Sequence, residues 1–393
     1  MTESKLRRML RDPRVVEALL RFGESIVALI IGLAIGAVIL YYAGYSPWEA
    51  YYQLFYNAVL DKYGFARSLA EAAPLILTGI TFAVGVRAGL FNIGAEGQLY
   101  FGALGAAIVA WLAYRMPVLN SPLGTIAAYA LGVILASLLA LIAAVLKVWR
   151  GVHEVVSTIM LNWIAFWIVE FMRIHYLFDP HDATKTIPVP PGARLPILLP
   201  DSELSATIIV SVGFALLTYY LLWYTVTGYE LRASGLSPKA ARYAGMDPNK
   251  SIIIAFIVGG VAAGLAGAGE VLGRPPHYAI TSGLSNLLNM GFDGITVALI
   301  GANHPIGVIF AGILLGVLKS GASYMQIFAG VPLEMVRIIE GIIVIALAVP
   351  GTLHMVREYL QRRKKLTQLR EQEAGKSHGF EGSGLQPSGA QQQ

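Results

Sequence analysis

Asn286, Asn289, Asp293 and Thr296 follow one another at spacings of three, four and three, which puts all four on one face of a helix. The residues around them are apolar, so a carboxylate and three neutral hydrogen-bonding groups make a polar stripe on an oily rod. An ionisable group at membrane depth costs about 3 kcal/mol or more, so it faces a protein interior or a watery path. The stripe reads either as the lining or gate of a solute pathway or as a tie between buried helices. Glu154, Ser157, Thr158 and Asn162 make a second stripe, within about 140° of arc at 100° per residue, and the same two readings apply. A third polar place is the run from Gly89 to Gln98, with Asn92 and Glu96 four apart on one helix face and Gln98 beside them. Its glycines interrupt the start of a span and leave backbone amides near membrane depth, where they can bind a polar solute. The bland reading is again a cap or helix tie.

Other chemistry has little to stand on. The chain has no cysteine, so neither a thiol nucleophile nor a cysteine metal site exists, and its seven histidines form no ligand cluster. His153-Glu154 opens like half of a zinc-protease motif, but Ser157 stands where the second histidine is needed. No nucleophile–base pair is evident. The run Gly316-Val317-Leu318-Lys319-Ser320 lacks the Gly-Lys adjacency of a phosphate loop. The expectation is therefore no catalytic residue, no metal and no cofactor. Glu170 with Arg173 and Glu270 with Arg274 are spaced to neutralise each other.

The elements that position these groups follow from composition. Of 393 residues, 56% are hydrophobic and 13% charged, against about 25% charged in an average soluble protein. Mean hydropathy is +0.62. This predicts an all-α polytopic membrane protein and excludes a disordered chain, a basic-patch nucleic-acid binder and a disulfide-stapled domain. With about 20 apolar residues per crossing, about ten transmembrane helices are expected, some short or broken. They fall near 25–43, 68–86, 95–113, 123–146, 155–177, 205–226, 252–272, 287–302, 306–320 and 336–350. Spacings such as Gly32/Gly36 and Gly260/Gly264 predict close helix packing.

The net charge of +5 resides in the two ends, since the middle of the chain carries equal numbers of acids and bases. The organisation expected is a basic cytoplasmic arm (1–24), a transmembrane domain (25–350) and a basic cytoplasmic tail (351–393) ending in a disordered stretch. Segments 45–67 and 178–204 lie outside. The first is an interfacial helix with Trp48, Tyr51, Tyr52, Phe55 and Tyr56 as belt aromatics, and the second is a Pro-rich acidic loop. With both termini on the cytoplasmic side of the cell membrane, 20 of the 29 Lys and Arg fall on that side. Phe91-Asn92-Ile93-Gly94 and Phe292-Asp293-Gly294 echo one another, which suggests an inverted repeat of spans two to five and seven to ten.

The cytoplasmic loop 228–250 carries a short helix. Ser237 caps it, Pro238 occupies its first turn, and it runs through Lys239, Ala240, Ala241, Arg242 and Tyr243 to end at Ala244-Gly245. It has no apolar face large enough to join a core and suits docking into another protein's groove, or serves as a plain linker.

Four stretches carry a family resemblance: Phe91 to Gln98, Glu154 to Asn162, Gly235 to Gly245, and Gly291 to Leu299. In this order, across roughly 65–350, they resemble the permease subunits of ABC importers. The group they resemble is the branched-chain amino acid, simple sugar and nucleoside permeases, with nucleoside or sugar members favoured. The resemblance implies that Gly235, Ser237, Pro238, Ala240, Ala241, Tyr243 and Gly245 form a helix docking on cytoplasmic ABC ATPase subunits. It also implies an external solute-binding protein, a second permease subunit (the same or a homologous chain) and alternating access. Asn92, Glu96, Gln98, Glu154, Ser157, Asn162, Asn289 and Asp293 are the candidate pathway residues. The competing expectation is an ion-coupled carrier using Glu96, Glu154 or Asp293 as its ion site.

Overall fold

The computed structural model describes residues 30–332, 334–339, 341–343 and 345. The expected arm 1–24, the tail 351–393 with its disordered end, the start of the first span and most of the last lie outside the described residues. The chain divides into two units, 33–344 and the two ends 1–32 with 345–393. In the second of these only the first three residues of a helix and residue 345 are described.

The larger unit is a bundle of helices. In chain order they are α1 (Ile30–Tyr42), α2 (Pro47–Phe55), α3 (Lys62–Arg87), α4 (Ala95–Ala113), α5 (Pro122–Arg150), α6 (Glu154–His175), α7 (Thr207–Tyr224), α8 (Val226–Leu236), α9 (Pro238–Tyr243), α10 (Pro248–Gly273), α11 (Met290–Ile300) and α12 (Pro305–Ala329). Residues 334–339 and 341–343 are helical as well. Six helices, α3, α5, α6, α7, α10 and α12, are long and apolar enough to cross a membrane, while α1 and α11 are shorter apolar helices. At about 1.5 Å per residue, the 19 residues of α4 also approach the roughly 30 Å of a bilayer core. The protein is thus an all-α polytopic membrane protein, with a two-stranded hairpin, β1 (Phe178–Asp179) and β2 (Asp182–Thr186), in the expected loop.

Local chemistry explains most element ends. Asp61 accepts the Gly64 amide at 2.7 Å to start α3, and Asp247 accepts the Asn249 amide at 2.9 Å to start α10. Gly151, left-handed at φ 65°, ends α5 just after Lys147 and Arg150, whose charges complement the helix C-terminus. The segment 45–67 is α2, a π-turn at Tyr56–Leu60, and the first turns of α3. The loop 228–250 is helical from its outset, because α8 begins directly after the seventh helix.

Helix α3 forms the axis. Over its most apolar stretch 83% of residues are buried, against 28% in α6 and α7, whose outward faces (Trp163, Trp167, Leu217, Tyr220) are left for lipid. α10, α11 and α12 pack beside it, and small residues set the spacing of α10 on α5. A methyl built on Gly264 would lie 2.8 Å from the Val133 Cα, and one on Gly260 would lie 2.8 Å from the Ser137 Cα. The Gly260/Gly264 spacing is therefore the contact line of α10 on α5.

The expected span 287–302 is the largest departure. Helix begins only at Met290, because 281–289 is tied into turns. Asn286 accepts from the Thr281 amide at 3.1 Å and hydroxyl at 2.8 Å, and donates to the Ala279 carbonyl at 3.0 Å. Gly283, Leu284 and Asn289 have positive φ. The Thr78 hydroxyl donates to the Met290 carbonyl at 3.0 Å, and Thr78 is about 14 Å along α3 from Arg87. α11 is therefore a half-helix that starts near the middle of the bundle. The four-residue stripe does not exist as one helix face: Asn286 belongs to the turn that precedes α11.

Candidate functional site

The start of α11 opens into a cavity of about 340 Å³ lined by Asn289, Asp293, Thr296, Lys319 and Arg337, with Leu288, Leu315 and Gly341. Non-helical backbone at this depth is tolerated only where it is buried in protein or lines a cavity, and Leu288 and Asn289 line this one. Asn289 sits in the left-handed region at φ 68° as the residue before the helix. Asp293 and Thr296, three apart, look the same way from α11. Lys319 reaches across from α12 and donates to the Asp293 carboxylate at 2.5 Å. Sequence reading missed Lys319 and Arg337. The signal for Lys319 in the sequence is a lone lysine inside an apolar helix.

The other candidates are elsewhere and are packed solid. Glu96 accepts from the Tyr100 hydroxyl at 2.5 Å, the Asn289 amide at 2.6 Å and the Gly291 amide at 2.5 Å. Two of these donors are the exposed amides of a helix start, where negative charge is favourable. Glu96 therefore holds the half-helix from behind and is itself buried. Asn162 accepts the Gly97 amide at 2.9 Å and donates to the Ile93 carbonyl at 3.0 Å. Glu154 accepts from Lys147 at 2.7 Å and from the Phe91 amide at 3.3 Å. Ser157 and Thr158 turn back on the Glu154 carbonyl at 3.1 and 2.7 Å. Asn92 accepts the Gly94 amide at 2.9 Å, and Gln98 is buried next to it. Of the eight candidates, Glu154 and Asn162 thus tie α6 to the 91–97 segment, Asn92 closes its turn, Ser157 bonds back within its own helix, Gln98 is buried, Glu96 braces α11, and Asn289 and Asp293 border the cavity.

At one end of the bundle, Arg274 bridges Glu71 of α3, Glu203 at 3.5 Å and Glu270 at 3.9 Å, so the Glu270–Arg274 pair is part of a larger cluster. Glu170 and Arg173 pair at 2.7 Å, as their spacing predicts. At the opposite end α9 stands out from the bundle. Ser237 caps it by accepting the Ala240 amide at 3.3 Å, Pro238 is its first residue and Gly245 follows it at φ 83°. Tyr243 is 96% exposed, and Pro238, Lys239, Arg242 and Tyr243 border a shallow surface hollow. Ala241 alone of the helix is buried, and it holds the knob to the body. Gly235 lies one turn back, in α8.

Comparison with known proteins places this geometry. Residues 64–348 match the family model of the branched-chain amino acid transport system / permease component. The chain is 37% identical over 342 residues to the guanosine ABC transporter permease protein NupP of Bacillus subtilis, covering 86% of this chain and 96% of that protein. It is 32% identical over 334 residues to the nucleoside ABC transporter permease protein NupB of Lactococcus lactis, covering 82% and 90%. It is 31% identical over 357 residues to a glucose ABC transporter permease protein of Haloferax volcanii, covering 86% and 90%. No solved structure matches.

Proposed function

This chain belongs to the family of branched-chain amino acid transport system permease components, and from that premise we propose that its cargo is a nucleoside or simple sugar moved through the cavity at the start of α11. It is a permease subunit of an ABC importer and a multi-pass membrane protein. ATP is hydrolysed on separate ATPase subunits that grip α9, and an external binding protein delivers the solute at the opposite end, beside β1 and β2. That polarity makes the α9 end cytoplasmic, with both termini on the same side.

The observation that carries the cargo reading is the lining. Asn289, Asp293, Thr296, Lys319 and Arg337 supply donors and acceptors around a space of about 340 Å³. Sites for small ligands span roughly 300–1,000 Å³ and carry a few placed polar groups. A hydroxyl-rich solute matches that lining, whereas a branched aliphatic side chain finds only Leu288 and Leu315. The names of the relatives point the same way, since two concern nucleosides and one glucose. Charged groups on an open cavity wall at membrane depth cannot face lipid, which supports a second permease subunit covering the cavity.

The test is uptake into proteoliposomes holding this chain with its ATPase, companion permease and binding protein. Labelled guanosine or glucose should accumulate only with internal ATP and should be indifferent to ionophores. Uptake by this chain alone, driven by an ion gradient, would establish the carrier instead. Uptake of leucine in preference to guanosine and glucose would overturn the cargo.

A further inference from the structure

We propose that Arg87 is the joint through which motion of α9 reaches the cavity, acting with Trp223, Arg232 and His304 as one assembly; this rests on the importer reading above.

The path is short and made of direct contacts. α9 is separated from α8 by Ser237 alone. The last turn of α8 presses on the turn after α3: a methyl built on Gly235 would lie 2.8 Å from the Gly89 amide nitrogen, and one on Gly89 3.1 Å from the Gly235 Cα. Backbone meets backbone, so a displacement of α8 is passed on without soft side chains to absorb it. One turn earlier on α8, the Arg232 guanidinium lies 5.3 Å from the centre of the Trp223 ring, and the Arg87 guanidinium lies 5.5 Å from the same ring. His304 closes the group, its ring 4.6 Å from Trp223 and 5.4 Å from Tyr219.

Arg87 then hands the motion on. Its Nε donates to the Asn303 carbonyl at 2.8 Å and its Nη2 to the Ala302 carbonyl at 3.1 Å. Both acceptors belong to the tight turn joining α11 to α12, and both have left-handed backbone, at φ 53° and 52°. These two helices carry Asp293, Thr296 and Lys319, so the guanidinium grips the hinge of the cavity wall. The chemistry of the grip is uneven. Among the described residues neither Arg87 nor Arg232 pairs with a carboxylate, and the Arg232 Nε is buried without a hydrogen-bond partner. Two like charges share one indole face system, held by cation–π attraction worth about 0.5–2 kcal/mol each. An arrangement of that strength can be rearranged by a motor without unfolding the bundle, whereas a buried ion pair would lock it.

The test uses the full importer complex, with any cysteines of the partner subunits replaced, and the absence of native cysteine in this chain. Spin labels at Leu138→Cys on α5 and Leu299→Cys on α11, both exposed positions, read the distance between the bundle and the cavity wall with and without ATP plus vanadate. Wild type should show a shift. Arg87→Ala should abolish it and lower solute moved per ATP hydrolysed roughly tenfold while ATP hydrolysis continues. Arg87→Lys, which offers one donor point in place of a fork, should recover part of both. Because Arg87→Ala removes packing as well, Trp223→Phe, which keeps a ring, and Trp223→Ala, which does not, form an independent pair, and only the second should uncouple. A normal shift and normal coupling ratio in Arg87→Ala would overturn the proposal. So would loss of assembled complex with the ratio of transport to hydrolysis unchanged, since that marks a brace and not a joint. A wild-type complex with no ATP-dependent shift would sink the importer reading and the joint with it.

Discussion

The Glu96 carboxylate, one residue into α4, accepts the Gly291 amide at 2.5 Å and so anchors the start of the half-helix α11. The second carboxylate oxygen takes the Asn289 amide and the Tyr100 hydroxyl. Three donors thus depend on one buried side chain. Each donor left without a partner costs about 1–3 kcal/mol. Glu96→Ala should therefore lower the melting temperature in detergent markedly, with loss of cavity-dependent solute binding as a consequence. Glu96→Gln, which keeps one acceptor but turns a donor either toward the Gly291 amide or toward the Asn289 amide and Tyr100 hydroxyl, should fall between. A variant that melts like wild type and loses only solute affinity would show that Glu96 touches the solute itself.

Asp293 and Lys319 meet at the cavity wall with a quarter to a third of each side chain exposed, at 31% and 24%. Exposed pairs contribute little to stability, about 0–1 kcal/mol. Asp293→Asn and Lys319→Gln should each reduce uptake strongly while shifting the melting temperature little. The double variant should lose less than the two losses combined, with a coupling of about 1 kcal/mol in uptake. If the melting temperature falls and uptake per folded complex is unchanged, the pair is a strut.

Tyr243 projects from α9 with nearly its whole surface free. Tyr243→Ala should change stability by no more than about 0.5 kcal/mol, as expected of a surface site, yet weaken co-purification with the ATPase. Gly245 differs in kind. A methyl there meets nothing within 4 Å, but its φ of 83° disfavours other residues by about 1–2 kcal/mol. Gly245→Val should insert normally, distort only the end of α9, and leave ATP hydrolysis no longer stimulated by transport. Normal stimulation in that variant would remove α9 as the docking element.

His304 lies in the turn between α11 and α12, half-buried against Trp223 and Tyr219. Burial first, and the Arg87 charge second, hold its pKa below the usual 6.5. The unfolded chain therefore binds a proton that the folded state resists. Stability is unaffected above the ordinary histidine range and is lost as pH falls from about 6.5 through the lowered value. Melting curves between pH 7.5 and 5 should fall more steeply for wild type than for His304→Gln. Parallel curves would show that His304 does not govern the turn.

Much of this molecule is written in short-range patterns. Ser237, Pro238 and Gly245 announce α9 with its true ends, because caps, first-turn proline and a left-handed glycine act within one turn of backbone. Apolar runs of about 20 residues announce spans for the same reason: within lipid each backbone amide must find its partner four residues away. The stripe Glu154, Ser157, Thr158 and Asn162 is one buried face, as its periodicity says. Where local hydrogen bonds go elsewhere the pattern misleads. The regular spacing from Asn286 to Thr296 conceals a turn, because Thr281 and Asn286 satisfy each other before a helix can start.

The residue types and spacings by themselves determined an all-α polytopic membrane protein with a short capped loop helix and three polar patches, while the permease reading rests on the family resemblance. Only the tertiary structure ties Glu154 and Asn162 to the 91–97 segment and Glu96 to the start of α11, and sets Asn289 and Asp293 beside a cavity. It also brought Lys319 to Asp293 and Arg87 to the carbonyls of Ala302 and Asn303, more than 200 residues along the chain from Arg87. The reason is physical: a helix forms from bonds that reach four residues, whereas the face it turns inward, and what it meets there, is set by how rigid helices pack against distant ones.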